Sequence, residues 1–557
     1  MRDLVEPSLR HCAPVPASIA ERALRAPLAR VIHRTRRLLL LAACSSWAAC
    51  GSSTSGPAPP DGDGPPGGGP AVGAASWGFF EYTNDFVGGL SNARWGRATG
   101  ILWAEVERPP GSGNYDWGEL DNRAGNAQAA GMNAVVVLKT GNGSSFSEPD
   151  CFREVEAAAP EGAFPAGRAL SSCPIRAEME GAWSRMVTEL VERYDGDANR
   201  DMPGFTGNIR MDVQVENEAA NPQLWDYGEA DRAVAADRYL RLLELSYQAK
   251  QAADPDTQVI LTGFFQPNLL ARCDGNPGCA PGVLQNVAFT KRVLARPEIF
   301  DAVDVHFFAY YHFEPAFIDE GFQWVVDQMQ QRGYRRPIYS LEWTGSNLLH
   351  ITEGHGDEFI DYFPYWSDFA SVEAFQAMYV ELDRPENVTY RRWFEAEQAR
   401  EFGKLFANML ALGVGRLVHV QYSDYHQGAA WDNPWWNWQG VIKYVGGAAI
   451  RKPSYYTFNI LSERIYGLTG ARRISQGGAV RLYEFSFPTK APTYVLWTEG
   501  ADAVLDLSAV MARDSLRVTH LVTELDGAHM PVVPPEETVP ASAVPVGDVP
   551  VLLEGVQ

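Results

Sequence analysis

Two glutamates at the ends of apolar runs carry the clearest chemistry in this chain. The run MDVQVENEAAN (Met211 to Asn221) ends its apolar stretch in Asn217 and Glu218, and RPIYSLEWTGS (Arg336 to Ser346) ends its own in Glu342. Paired carboxyl groups about 5 Å apart can share the cleavage of one acetal C–O bond. One protonates the departing oxygen and the other attacks carbon, which is the chemistry of retaining glycoside hydrolysis. The two acids then need different proton affinities. A cation keeps one ionised, and Arg97, near the end of an earlier apolar run, is the candidate partner of Glu342; apolar walls raise the other. Blander readings stand beside these: a glutamate after a strand also caps a helix, and Arg97 also fits a plain salt bridge inside a barrel. Rival chemistries lack support. The chain has no Gly-x-Ser-x-Gly elbow, no Gly-rich phosphate loop after a strand, and no carboxylate at ligand spacing to join His306 and His312 around a metal. No metal or organic cofactor is implied.

These residues need elements to hold them. β-Branched or aromatic runs at Ser76–Phe80, Arg94–Ile101, Asn133–Leu138, Arg210–Asn217, Gln258–Thr262, Ala302–Phe307, Pro337–Leu341 and Arg416–Tyr422 read as eight strands. Helical patterns lie between them, including Trp117–Gly131, Arg176–Tyr194, Ala230–Ala252, Leu284–Ala295, Gly321–Gly333 and Trp393–Leu412. Eight strands alternating with helices predict an α/β fold, a (β/α)8 TIM barrel over residues 76–468, whose functional groups belong at the C-terminal strand ends. Glu218 and Glu342 then close the fourth and seventh strands. An aromatic and acidic insertion from Asn347 to Tyr390 follows the seventh, where insertions shape a cleft. After PSYYTFNILSERI (Pro453 to Ile465) the helical period stops. Short alternating strands separated by Gly, Pro and Asp predict a C-terminal all-β sandwich over residues 469–557.

With strands and acids in this order, the chain resembles the clan A glycoside hydrolases. Four passages carry the resemblance: Asn217-Glu218 closing the fourth strand; Glu342 within PIYSLEW; Ile101 to Leu138, similar to the second and third units of those barrels; and WQGVIKYVGGAAIRKPSYYTF (Trp438 to Phe458), similar to the exit from their eighth strand. A barrel followed by a small sandwich is most like family 39, the β-xylosidase and α-L-iduronidase group, with the cellulase-like family 5 next. The resemblance implies Glu218 as acid/base, Glu342 as nucleophile and Asn217 as a hydrogen-bonding partner of the sugar 2-hydroxyl. It also implies a substrate-contacting role for His306, and for Tyr310 or Tyr311 a hydrogen bond to the nucleophile. His306 reads equally as a hydrogen-bonded core histidine. Two positions depart from the family pattern. Glu216 stands where relatives carry an apolar or aromatic residue, so it is a third site acid or a paired structural one, and Ala219 replaces a common proline. Among Trp431, Trp435, Trp436 and Trp438, one or two, Trp436 foremost, are expected to stack on sugar while the rest fill core.

Composition sets the surroundings. In 557 residues, 46% hydrophobic and 21% charged, the chain has the make-up of a packed globular protein. Its formal charge of −22, from 47 Lys plus Arg against 69 Asp plus Glu, repels a phosphate backbone, so nucleic acid is not an expected partner. Carbohydrate is. The arginine-rich opening reverses that charge locally: HRTRRLLLLAACSSWAAC (His33 to Cys50) has a basic start, the apolar stretch Leu38–Ala49 and small residues before a cysteine. Residues 1–50 read as a leader with a lipoprotein-type signal peptide, whose apolar stretch Leu38–Ala49 is too short for a membrane span of about 20 residues. The run is similar to a bacterial lipoprotein signal, with Cys44 or Cys50 as the lipidated residue, so export is expected, either as an outer-membrane or cell-surface lipoprotein held by an N-terminal lipid anchor or, if the signal is simply cleaved, as a secreted protein. Residues 51–75, nearly all Gly, Pro, Ser, Ala and Asp, read as a flexible tether. Downstream, Cys151, Cys173, Cys273 and Cys279 remain, and proximity pairs Cys151 with Cys173 and Cys273 with Cys279. The competing expectation from another class is a non-catalytic carbohydrate-binding surface lipoprotein on a degenerate barrel.

Overall fold

The structure, a computed structural model, describes residues 75–80, 93–97, 100–158, 171–308, 310–345, 356–424, 438–445, 448–475, 478–511, 513–525, 531–532 and 534–556. Cys44, Cys50, the leader and the tether lie outside the described residues.

The strands are β1 (Ser76–Phe80), β2 (Trp95–Arg97), β3 (Ile101–Leu102), β4 (Asn133–Lys139), β5 (Met211–Val215), β6 (Val259–Ile260), β7 (Phe264–Phe265), β8 (Val303–Phe308), β9 (Ile338–Thr344) and β10 (Arg416–His419). All pair in parallel, in the order β6-β5-β4-β2-β1-β10-β9-β8-β7, with β3 also on β4. A parallel bridge from Ile260 to Ala302 joins the two ends of that order. Counting β2 with β3 and β6 with β7 as interrupted strands, this is the eight-stranded TIM barrel expected from the sequence. Helices absent from the sequence reading include Pro149–Ala158 and Pro267–Cys273.

Parallel strands covered on both faces should be apolar almost throughout. NAVVVLK in β4 and VDVHFF in β8 obey this, so the polar groups that do occur in strands stand out. The lower barrel is filled by Trp95, Val135, Ile260, Ala302, Tyr339, Leu341 and Val418. Arg416 stacks there over Trp95 at 3.5 Å and pairs with buried Asp212 at 2.6 Å. With that end plugged, the open chemistry belongs to the C-terminal strand ends.

The strand predicted as Arg210–Asn217 stops at Val215. Glu216 and Glu218 then adopt left-handed backbone angles, φ 59° and 48°, that cost a non-glycine residue free energy and turn the chain sharply at the barrel mouth. The predicted strand Gln258–Thr262 shortens to β6, and β7 resumes beyond Gly263, where a Cβ would lie 2.0 Å from the His306 ring. Inside the insertion, helices Gly356–Tyr362 and Val372–Val380 assemble an aromatic core of Phe359, Phe363, Phe375 and Tyr379 with Phe394 of the long helix Val388–Leu412.

Beyond the helix Pro453–Arg464 come β11 (Gly470–Ser475), β12 (Val480–Ser486), β13 (Thr493–Thr498), β14 (Ala503–Leu505), β15 (Ser515–His520), β16 (Glu524–Leu525), β17 (Pro531–Val532), β18 (Glu537–Pro540), β19 (Val544–Val546) and β20 (Val551–Gly555). A six-stranded antiparallel sheet, β11-β12-β13-β20-β15-β18, faces the pair β14-β19 across a core containing Leu482, Leu496, Leu507, Val544 and Leu553. This is the small sandwich that the change of period predicted. The sulfurs of Cys151 and Cys173 are bonded at 2.11 Å, and those of Cys273 and Cys279 at 2.05 Å.

Candidate active site

The site forms where β2, β4, β5, β8 and β9 end. Register places His306 of β8 directly beside Glu342 of β9. One carboxylate oxygen of Glu218, one of Glu342 and one ring nitrogen of His306 all lie within 4.8 Å of one another. Glu218 and Glu342 are 8% and 9% exposed, so the two acids face each other in a nearly dry setting.

Each acid has its own partner. Arg97, 1% exposed, donates Nη1 to Glu342 Oε1 and Nη2 to Asn217 Oδ1 at 2.7 Å. Its Nε and Nη2 also reach Gln214 Oε1 at 3.0 and 2.8 Å. Glu218 Oε1 lies 2.7 Å from His306 Nδ1, while the other ring nitrogen, Nε2, lies 2.9 Å from Asp304 Oδ2. His306 Nδ1 is also 3.6 Å from Glu342 Oε2. Asp304 is closed off by Gln214 Nε2 at 2.6 Å on Oδ2 and the Leu341 amide at 2.8 Å on Oδ1.

The electrostatics separate the pair. Burial pushes the Glu218 carboxyl above the ordinary glutamate value, opposed by His306 and Arg97 and reinforced by the charge of Glu342. Burial would lower His306, but Glu342 and Asp304 outweigh it and raise the imidazole to about 10. Both ring nitrogens thus face carboxyl groups. A second acidic trio, Asp195, Asp197 and Asp201, lies in a loop on the outside of the barrel.

Glu216 is fully buried. Its Oε1 accepts from the Thr140 amide at 2.6 Å and the Thr140 hydroxyl at 3.0 Å, and burial raises its carboxyl against the charge of Lys139. That makes it a support for the end of β4. Lys139, held below the ordinary lysine value by burial, feels the charges of Glu216, Glu218 and Glu342. Tyr310 lies in the insertion's aromatic core, 4.7 Å from the Phe313 ring and 6.3 Å from that of Tyr362, and it forms no hydrogen bond to Glu342. Tyr311 turns toward Trp497 and Tyr483. Trp436 lies outside the described residues; Trp438 donates its indole N–H to the Tyr379 carbonyl at 2.8 Å.

Gln214, Asp304 and Lys139 were missed by sequence reasoning. The signal existed for the first two: Gln214 interrupts MDVQV with a polar group, and Asp304 precedes His306 by two, so both face the barrel interior with it.

No family model matches the chain, and no curated protein matches it. Solved structures do. A family 39 glycoside hydrolase from the gut symbiont Bacteroides cellulosilyticus WH2 aligns over 86% of this chain and 81% of its own at 13% identity, with a TM-score of 0.51. A glucosidase from Croceicoccus marinus aligns over 87% of this chain and 97% of its own at 11% identity, with a TM-score of 0.48. At 13% identity, the first likeness establishes a shared fold.

Proposed function

We propose that the protein is a retaining glycoside hydrolase that cleaves O-glycosidic bonds of an oligo- or polysaccharide, with Glu342 as nucleophile and Glu218 as acid/base. The observation that carries this reading is the separation of the two acids. One oxygen of each lies within 4.8 Å of the other, nearer to the about 5–5.5 Å of retaining pairs than to the roughly 6.5–9.5 Å by which inverting pairs make room for a water. The shared fold with a family 39 glycoside hydrolase supports it.

In the first step the Glu342 carboxylate, oriented by Arg97, bonds to the anomeric carbon as the C–O bond to the leaving group breaks. Glu218 delivers its proton to that oxygen. In the second, Glu218 takes a proton from water, water oxygen bonds to the anomeric carbon, and the ester to Glu342 breaks. The net change is one acetal bond hydrolysed, with both acids restored. Asn217, held by Arg97, is poised for the sugar 2-hydroxyl.

Mass-spectrometric analysis of products released from a broad panel of plant, algal and microbial glycans, by the native protein and by Glu342→Gln, tests the reading. Release by the native protein alone supports it. Silence from both, with glycan binding retained, favours the carbohydrate-capture protein instead. We propose further that the protein is exported and lipidated at Cys44 or Cys50. Metabolic labelling with a fatty acid, abolished by Cys→Ala at one of the two, is the expected result; equal labelling in both single variants and the double variant contradicts it.

A further inference from the structure

We propose that hydrogen-bond polarity runs in one direction from Arg97 round to Glu218, so that Oε1 of Glu218 is always an acceptor and its transferable proton resides on Oε2, with Asp304 as the positioning residue that enforces this. The step concerning the transferable proton rests on the glycosidase reading. The polarity itself does not.

The deduction begins at a group with no choice. A guanidinium has only donors, so the Gln214 atom facing Arg97 Nε and Nη2 must be the amide oxygen. Gln214 Nε2 then carries its two hydrogens the other way, to the Leu261 carbonyl at 3.0 Å and to Asp304 Oδ2 at 2.6 Å. Asp304 also accepts the Leu341 amide on Oδ1. Asp304 thus meets N–H donors on both oxygens, and the proposal takes it as the acceptor throughout, with the His306 Nε2 at 2.9 Å as a third N–H donor to it.

That leaves Nδ1. A neutral ring would turn a lone pair toward Glu218 Oε1 at 2.7 Å, which suits only a proton on that oxygen, and toward Glu342 Oε2 at 3.6 Å, on the carboxyl group whose other oxygen accepts from Arg97. The cation turns an N–H toward them instead. The groups facing the Glu218–His306 pair are Glu342 from β9, Arg97 from β2, Lys139 from β4 and Asp304 on the strand of His306 itself, with Glu216 beside Glu218 on its own segment. Glu342 and Asp304 favour the imidazolium, and together they outweigh its burial. With Nδ1–H donating to Oε1, a proton on Glu218 has only Oε2 to occupy. The carboxyl then enters each reaction cycle with one oxygen fixed and the other free to meet the leaving group.

The test uses the full chain labelled with 15N-histidine, with the His306 signals assigned by their loss in His306→Gln. Ring nitrogens report protonation directly and need no substrate. In the native protein both His306 nitrogens are expected to carry hydrogen throughout pH 6–8. In Asp304→Asn the proton affinity of Nδ1 is expected to fall by at least about tenfold, which brings its titration down toward that window. If glycan turnover is found, the alkaline limb of kcat/KM in Asp304→Asn should move to higher pH, because Glu218 loses a neighbouring cation. A native His306 with unprotonated Nδ1 at pH 7 overturns the proposal, since Glu218 would then donate from Oε1. An Asp304→Asn titration that does not move overturns the role of Asp304. The native spectrum alone decides the polarity should that variant not fold. A glycan panel without turnover would remove the glycosidase reading and leave the histidine result standing.

Discussion

At the scale of single residues, the two glutamates differ by what each faces. Glu342 sits against a guanidinium, while Glu218 sits in a buried pocket with His306, and burial lifts its carboxyl above the ordinary range. The proposed mechanism needs Glu218 protonated in its first step. Its raised affinity therefore extends activity to higher pH, and kcat/KM is expected to fall as pH rises through a value above that of a free glutamate. A pH–rate profile of the native protein checks this; an alkaline limb at the ordinary glutamate value would contradict it. Glu218→Gln is expected to slow hydrolysis of unactivated glycosides by about 10²–10⁴-fold while sparing glycosides with a good leaving group, whose departure needs no acid. Comparing the two substrate classes measures it. Both glutamates were legible in the sequence, because an acid that ends an apolar run is conspicuous. Gln214 and Asp304 were less so: they lie within the strands, where a polar residue reads as an imperfection until the group it faces is known.

At the scale of elements, the site depends on how closely two strands approach. The break between β6 and β7 falls at Gly263, against the ring of His306. Gly263→Ala would place a methyl group 2.0 Å from Nε2, and the ring, held by Asp304 and Glu218, must shift away from both. Because the obstruction is a side chain rather than backbone, the fold should survive. Activity should drop on the order of 10–10²-fold, as a misplacement of about 1 Å can cause. Circular dichroism alongside turnover checks the split; unchanged turnover would contradict the packing account. The eight strands were readable from alternating apolar runs and helical patterns. Their interruptions were not, because the turn at Glu216 and Glu218 and the break at Gly263 are imposed by tertiary contacts across the barrel mouth, which local propensity does not encode.

At the scale of the whole molecule, the sandwich supports the barrel through specific contacts. Tyr311, just after β8, packs edge-on against Trp497 of β13 at 5.6 Å, and Arg400 reaches Asp548 at 2.9 Å. Removing residues 469–557 would expose this surface, so a chain ending at 468 is expected to be largely insoluble or to lose several degrees in Tm. Beneath the junction, Glu401 on the long helix accepts the Tyr311 amide and is pushed up to about 8, chiefly by burial, against the charge of Lys404. Its folded value lies above its unfolded one. Its contribution to stability is therefore fully present below about pH 4.5 and is lost as pH rises toward 8. Glu401→Gln keeps an acceptor for Tyr311 and never ionises, so it should be more stable than the native chain at pH 8, on the order of 1–3 kcal/mol, and nearly equal at pH 5. Thermal unfolding at both pH values decides; an equal difference at both would contradict the assignment. The barrel-then-sandwich order was legible from the change of period after Ile465. The contacts that join them were not, because Tyr311 and Trp497 are far apart in sequence.

The central claim, a double displacement through Glu342 and Glu218, is tested most directly by the anomeric configuration of the sugar first released from a cleaved glycan, followed by proton NMR before mutarotation. Retention of the configuration of the bond cleaved is the predicted result; inversion would contradict it.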